Sequence, residues 1–367
     1  MRNHQLAFVL AVIVGCTAFA APSSSKADQK VTVMTRNVYH GATFDGVIAA
    51  KTFPQFLAAV RDLFAAVQAT NIPERAEALA DEIKDTRPDL IGLQEAVLWR
   101  SQFPADFSPT PNATTIEFDF VQLILGALAA RGLEYGVVAI STGFDVEAPA
   151  LLPNGTCCRE IRITDREVIL ARTDLKTADL DLSNAQTGHF ATNCIFPPTL
   201  AGTVTLLRGW ASVDAKIRGK EVRFITTHLD GDCLDFTSAI QVAQANEILH
   251  GPANTALPVI WVGDFNSNAD GPNVDSFNTP TYGNLIAAGF EDAWRIENPD
   301  NPGFTCCQAA DLLNPVSALS RRIDLVLFRG DFEVEDVDIV GEDLDDRTPS
   351  GLWPSDHAGV VTTLELR

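Results

Sequence analysis

Hydrophobic positions along this chain follow two periods, and the switches between them mark out its elements. Residues 31–38 alternate in the manner of a strand with one covered face. Leu57, Val60, Phe64 and Val67 recur at helical spacing. So do Ala76, Leu79, Ala80 and Ile83, with Pro73 near that helix's start and Pro88 beyond its end. A short apolar run at 90–93 predicts a buried strand, residues 120–131 a helix closed by Gly132, and 168–171 another strand. Residues 210–217 and 222–228 flank Arg218-Gly219-Lys220-Glu221, the pattern of a hairpin. A helix follows at 236–250, capped by Asp235 and ended by Gly251, and then strands at 259–262, 323–328 and 360–366. Several strands pair as hairpins, which argues against a purely parallel nucleotide-binding sheet. Stretches 141–164, 173–202 and 298–321 lack either period and are expected to be loops. Each carries cysteines. Long loops in a compact domain are usually functional or tied down, so these three should rim a site.

The first residues change where the chain is expected to work. Arg2 begins a segment whose residues 6–15 are apolar, and Ala18-Phe19-Ala20 fits a small-residue cleavage site. The apolar stretch falls short of the ~20 residues that span a bilayer. Residues 1–20 therefore read as a cleaved signal peptide, with one domain over 28–367 and a secreted or periplasmic destination. Cys16 ends a lipobox-like Ile13-Val14-Gly15-Cys16, but the apolar run continues past it, which favours release over lipid anchoring. Export would leave Cys157, Cys158, Cys194, Cys233, Cys306 and Cys307, an even set that predicts disulfides. No CxxC occurs, so zinc-ribbon and thioredoxin-like readings have no support.

Charge narrows the partners. The formal net charge is −21, and losing Arg2 makes it more negative. Such a surface repels a phosphate backbone at long range, which counts against tight nonspecific nucleic-acid binding. A metal can reverse the sign locally, so nuclease activity stays open. Nine of the acids lie in 331–346. That run could bind calcium, but a solvated, charge-protected strand edge is the default reading.

Six short motifs close apolar runs: Thr35-Arg36-Asn37-Val38, Leu90-Ile91-Gly92-Leu93-Gln94-Glu95, Thr226-Thr227-His228-Leu229, Gly263-Asp264-Phe265-Asn266, Arg321-Arg322-Ile323-Asp324-Leu325 and Pro354-Ser355-Asp356-His357. Singly, each has an ordinary explanation. Asp264 and Asn266 suit a turn, Glu95 a solvated strand end, and a lone histidine is usually structural. In this order, from about residue 31 to 366, they resemble the endonuclease/exonuclease/phosphatase superfamily. The resemblance implies an α/β (α+β) fold, a four-layer α/β/β/α sandwich of two packed mixed sheets flanked by helices. It also implies a metal-assisted phosphoester hydrolase.

That chemistry needs a metal on the phosphate, an activated water in line with the leaving oxygen, and a way to stabilise the departing charge. The resemblance makes Glu95 the leading metal ligand, for Mg2+ or, in its place, Mn2+; Asn37 would offer its amide to the metal or a phosphate oxygen, and Asp356 would join the metal side or position His357. Asp264 and Asn266 flank Phe265 and share a face if the strand continues. Asp264 would orient the water and Asn266 a phosphate oxygen. His357 is assigned as general base with Asp324 fixing its tautomer, although the resemblance leaves Asp264 open as the proton acceptor. His228 would donate to the leaving oxygen, partnered by Asp165 or Glu167, with position favouring Asp165. His40, His189 and His250 receive no role.

Rival enzymes lack their motifs: there is no G-x-S-x-G, no G-x-x-x-x-G-K-[ST] and no H-E-x-x-H. A silent binding module should have lost ligands, yet every expected position is filled. Breadth of family membership places a nuclease first. Asn37-Val38-Tyr39 and Thr227-His228-Leu229, with Cys233 close behind, are similar to bacterial sphingomyelinases, which makes a lipid-headgroup phosphodiesterase the alternative. The expected partner is a phosphodiester, in nucleic acid or a phospholipid headgroup, for a monomeric chain without an obligate protein partner. The 210–228 hairpin puts Cys194 and Cys233 at one end, and the sphingomyelinase likeness implies the same Cys194–Cys233 pairing. Cys157-Cys158 and Cys306-Cys307 would then close on themselves or bridge each other. The main rival links Cys194 to the first doublet and Cys233 to the second.

Overall fold

The computed structural model describes residues 29–196, 200, 202–231, 233, 237–269 and 278–367. The leader at 1–20, Cys16 and the expected cap Asp235 lie outside the described residues.

Strict alternation in the first strand shows how the layers arise. In Lys30–Asn37, Val31 and Val33 pack toward the second sheet, while Met34 packs toward helices on the opposite side. The first sheet runs, in spatial order, Phe332–Val340, Gly359–Leu366, Lys30–Asn37, Leu90–Gln94, Cys157–Arg172, Leu98–Gln102 and Thr115–Asp119, with Tyr135–Leu151 also paired to Cys157–Arg172. The second runs Glu291–Asp292, Asp324–Arg329, Val259–Asp264, Lys220–His228, Gly209–Ile217 and Leu180–His189. Val33, Leu90 and Ile169 from one sheet meet Val213, Phe224 and Val262 from the other in a shared core. Phe56, Phe64, Ile83 and Ile124, on helices Phe53–Ala69, Ile72–Thr86 and Phe120–Ala130, cover the outer face of the first. Ala245 and Ile248, on Thr237–His250, help cover Trp261 and Leu327 of the second. The result is the four-layer arrangement of two mixed sheets between helices.

Both sheets contain a parallel pair, and the carboxyl ends of those pairs fall together. Asn37 lies beside Gln94, and His228 beside Asp264. Asp324 opens the antiparallel strand next to Asp264. Beneath this edge the sheets come close. A Cβ on Gly92 would collide with Thr226 and Val262, so only glycine fits there.

Two expected loops are strands. Stretch 141–164 belongs to a long hairpin, Tyr135–Leu151 with Cys157–Arg172, and Leu180–His189 occupies part of 173–202. Their apolar period is blurred because charged residues pair across strands on half-exposed faces, as Arg162 does with Asp145 at 2.8 Å. Stretch 298–321 is irregular and tied down by bridges from Cys306 to Arg321 and to His357. Phe332–Val340 lies at an edge of the first sheet, with Val334, Val337 and Ile339 buried and Glu333, Glu335, Asp336 and Asp338 exposed. Cys194 is paired with Cys233, at a Cα separation of 5.4 Å, and each cysteine doublet is closed on itself.

Candidate active site

Each motif delivers its polar residue to the edge where the two sheets end. Asn37 ends its strand, and its side-chain oxygen accepts the Tyr39 N–H at 3.0 Å. The amide nitrogen therefore points into the site, donating to Asp264 Oδ2 at 3.0 Å and to Glu95 Oε1 at 3.3 Å. In this orientation the Asn37 N–H groups face the carboxylates, and its oxygen lies against the backbone. Glu95 adopts φ 55°, just past its strand, with the His40 backbone N–H at 2.9 Å and the His40 ring on its Oε2. Burial opposes ionisation of Glu95, but His40's charge and hydrogen bond outweigh it and hold the carboxyl well below its usual range. The same pair pushes His40 up to about 9 against its own burial.

Across the cleft, His357 Nδ1 meets Asp324 Oδ2 at 2.8 Å. This leaves Nε2 facing Asp264 Oδ2 at 3.9 Å and Asp356 Oδ1 at 4.0 Å. Burial disfavours a charged ring, yet Asp324, Asp356 and Asp264 together raise His357 well above its ordinary value. Burial and the charge of Asp324 push Asp264 up to about 7. Burial raises Asp356 too, with Glu95's charge adding to it and His357 opposing. Asn266, at φ 48°, donates to Leu229 O at 2.9 Å and lies 3.0 Å from His228 Nε2. Asp264 and Asn266 thus meet in one site through a turn, since the strand ends at Asp264.

One expectation changes. Asp165, Glu167 and His228 are buried with their ligating atoms within 4.8 Å of one another, but neither carboxylate bonds the ring. Arg208 intervenes: its Nη1 is 2.9 Å from His228 Nδ1 and 3.4 Å from Asp165 Oδ2. Burial, followed by the Arg208 charge, holds His228 well below its ordinary value.

With this geometry in view, the family can be read directly. A sequence profile described as the Endonuclease/Exonuclease/phosphatase family matches residues 37–357, from Asn37 to His357. The chain belongs to that family. Its members are phosphoric ester hydrolases and generally use divalent metals. No curated protein sequence matches the chain. Among solved structures, an endonuclease/exonuclease/phosphatase family protein from Bacteroides thetaiotaomicron is similar at 16% identity, covering 92% of this chain and 98% of that one, with a TM-score of 0.53. An endonuclease/exonuclease/phosphatase from Beutenbergia cavernae is 20% identical over 92% of this chain and 72% of that one, TM-score 0.53. A mannosyl-6-phosphatase from Bacteroides thetaiotaomicron is 16% identical over 91% and 99%, TM-score 0.51. These likenesses establish a shared fold.

For a divalent cation of the kind this family uses, Glu95 and Asp356 would be candidate ligands. Both offer hard carboxylate oxygens, and each repels the other's charge. Glu95 Oε1 accepts a long Asn37 contact at 3.3 Å, and Asp356 Oδ1 accepts Ser355 Oγ at 3.4 Å and lies 4.0 Å from His357 Nε2.

Several residues that build the site were given no role by the sequence, although Arg36 and Ser355 lie within its motifs. Arg36 forms a two-bond pair with Glu82, at 2.8 and 2.9 Å, and also donates to the His357 backbone oxygen. Arg75 is fully buried and donates to Val38 O (2.7 Å), Tyr39 O (3.0 Å), Thr70 O (2.8 Å) and Pro354 O (3.2 Å). It joins the loop after Asn37 to the loop before Asp356. Ser355 Oγ adds a bond to Asn37 O at 2.8 Å. Thr305 accepts from the backbone N–H groups of Ile323 and Asp324, both at 3.1 Å, and fixes the strand start beneath His357.

Proposed function

We propose that this chain is a divalent-cation-dependent phosphodiesterase acting through in-line attack of water. The observation that carries this reading is that His357 Nε2 faces Asp264 Oδ2 at 3.9 Å and Asp356 Oδ1 at 4.0 Å, while Asn37 links Asp264 to Glu95. Glu95 and Asp356 would hold the cation, with magnesium the best fit to their oxygen donors and manganese a substitute. When bound, the cation polarises a phosphoryl oxygen. Asn37 presents its N–H groups to the same side. Water between Asp264 and His357 would be oriented by the Asp264 carboxylate. Asp356 is one of three carboxylates that keep the proton on His357. In the neutral form of the ring, Nε2 would accept the water's proton while Asp324 steadies the imidazolium.

Substrate choice rests on the surroundings. A hollow of about 460 Å³ is lined by Ala42, Val47, Leu63, Ala66 and Leu313 together with the acidic Asp62 and Asp311. One of its lining residues, Ala310, accepts the Tyr39 hydroxyl at 2.9 Å. A chain of net charge −21 suits an organic or lipid-headgroup phosphodiester better than a long polyanion. We therefore place that substrate ahead of nucleic acid, reversing the order that family breadth alone suggests. The test compares an aryl phosphodiester, sphingomyelin, plasmid DNA, RNA and phosphomonoesters, with and without magnesium after chelation. Magnesium-dependent release from the organic diesters should dominate. Hydrolysis of monoesters alone would overturn the phosphodiesterase reading.

A further inference from the structure

We propose that Arg208 is a positioning residue that fixes His228 as a neutral imidazole with its one proton on Nε2, so that His228 meets the phosphoryl group as a hydrogen-bond donor. This rests on the phosphoesterase reading for its role in turnover, but not for the state of the ring. A guanidinium has donors and no acceptor, and it stays charged at any working pH. Its Nη1 is 2.9 Å from His228 Nδ1, so that nitrogen must present a lone pair. The ring's proton is then left on Nε2. Asp264 Oδ2, 3.4 Å away on the neighbouring strand, is there to receive it.

A second contact bears on the charge of the ring, although taken alone it would favour a lone pair on Nε2. Asn266 Nδ2 also approaches Nε2, at 3.0 Å, so both ring nitrogens face donors. A doubly protonated ring would set N–H against N–H at both ends. A neutral ring can accept only one of the two bonds, and the charged guanidinium is the stronger donor. Asn266 loses little, since its amide already bonds Leu229 O at 2.9 Å. Asp165 holds the guanidinium from behind at 3.4 Å, in a pocket where Arg208, Asp165, Glu167 and His228 are all buried. Glu95, His40 and His357 act on the ring only from farther away. Burial and Arg208 both oppose charging of this ring, in keeping with the geometry.

The two histidines are therefore set in opposite senses. A carboxylate on Nδ1 gives His357 a proton there, whereas a guanidinium on Nδ1 gives His228 a lone pair. Had Asp165 bonded His228 directly, both rings would have been poised alike.

Long-range proton–nitrogen spectra of the whole ¹⁵N-histidine-labelled protein, without metal or substrate, test the assignment, with His228→Gln identifying the resonances. Nε2 of His228 should be protonated and Nδ1 bare from about pH 5.5 to about 8.5. A protonated Nδ1, or an imidazolium forming near pH 6, would overturn it. Because the resting protein is read, this result is independent of whether any phosphodiester is hydrolysed. Arg208→Lys keeps a charged donor and should preserve the tautomer, with kcat within about tenfold of the parent. Arg208→Met should let the proton move to Nδ1, toward Asp165 and Glu167, and lower kcat about 10²-fold with little change in KM. Equal losses in the two variants, with the tautomer unmoved in both, would also sink the proposal.

Discussion

His357 and Asp324 are both buried and joined by a 2.8 Å hydrogen bond, so they should act as one unit. His357→Ala and Asp324→Asn should each lower turnover by ~10²–10⁴-fold, and the double variant should be little worse than His357→Ala. Losses that multiply would show the partnership is not functional. Asp264 makes a different prediction. Its folded value of about 7 lies above the ordinary 3.8, so the folded protein holds this proton more tightly than the unfolded chain. The associated stability is full below about pH 4 and is lost as pH rises through 7. Asp264→Asn removes the buried charge. With chelator present it should be more stable than the parent at pH 8, by on the order of a few kcal/mol, with the gap closing toward pH 4. Denaturant unfolding at both pH values checks this, and a gap independent of pH would refute it. At this scale Glu95, Asp264, Asp324, Asp356 and His357 were legible because each closes or opens an apolar run. Arg208 was not, because its partners, His228 and Asp165, lie on other strands.

Elements carry the site through their ends, so bracing an end matters more than lengthening it. The Cys194–Cys233 bridge spans 39 residues and ties down the segment after His228. Cys194→Ser with Cys233→Ser should cost ~2–4 kcal/mol, read by denaturant unfolding under non-reducing conditions. No change in midpoint would mean the bridge does not brace the fold. Helix Ile72–Thr86 acts at a distance through Glu82, whose carboxylate neutralises the buried Arg36 that also holds the His357 backbone. Glu82→Gln strands that cation, and about 3–5 kcal/mol of stability should be lost. Wild-type stability in this variant would argue against the pair. The helices were readable from their 3.6-residue stripes. The Tyr135–Leu151 hairpin strand was not, because residues such as Asp145 and Glu147 sit on its half-exposed faces and interrupt the alternation.

For the whole molecule the governing quantity is charge. Four site carboxylates converge in a chain of net −21, and no lysine is near enough to stand in for a metal among the described residues. Exhaustive chelation should abolish hydrolysis, and magnesium or manganese should restore it, followed by product release from an aryl phosphodiester. Full activity in the chelated protein would remove the proposed mechanism.

By itself the sequence determined the strands that end at Asn37, His228 and Asp264 and just before Glu95, the helices that cover them, and the family chemistry their order implies. Those features are local, set by apolar period and by the polar residue at which a run stops. Tertiary structure decided which way each polar group faces. Asn37 turns its oxygen to Tyr39, Arg208 takes the place expected for a carboxylate on His228, and His40 closes on Glu95. Each choice depends on a donor or acceptor from a distant strand or loop. Burial makes that pairing obligatory, and no period along the chain encodes it.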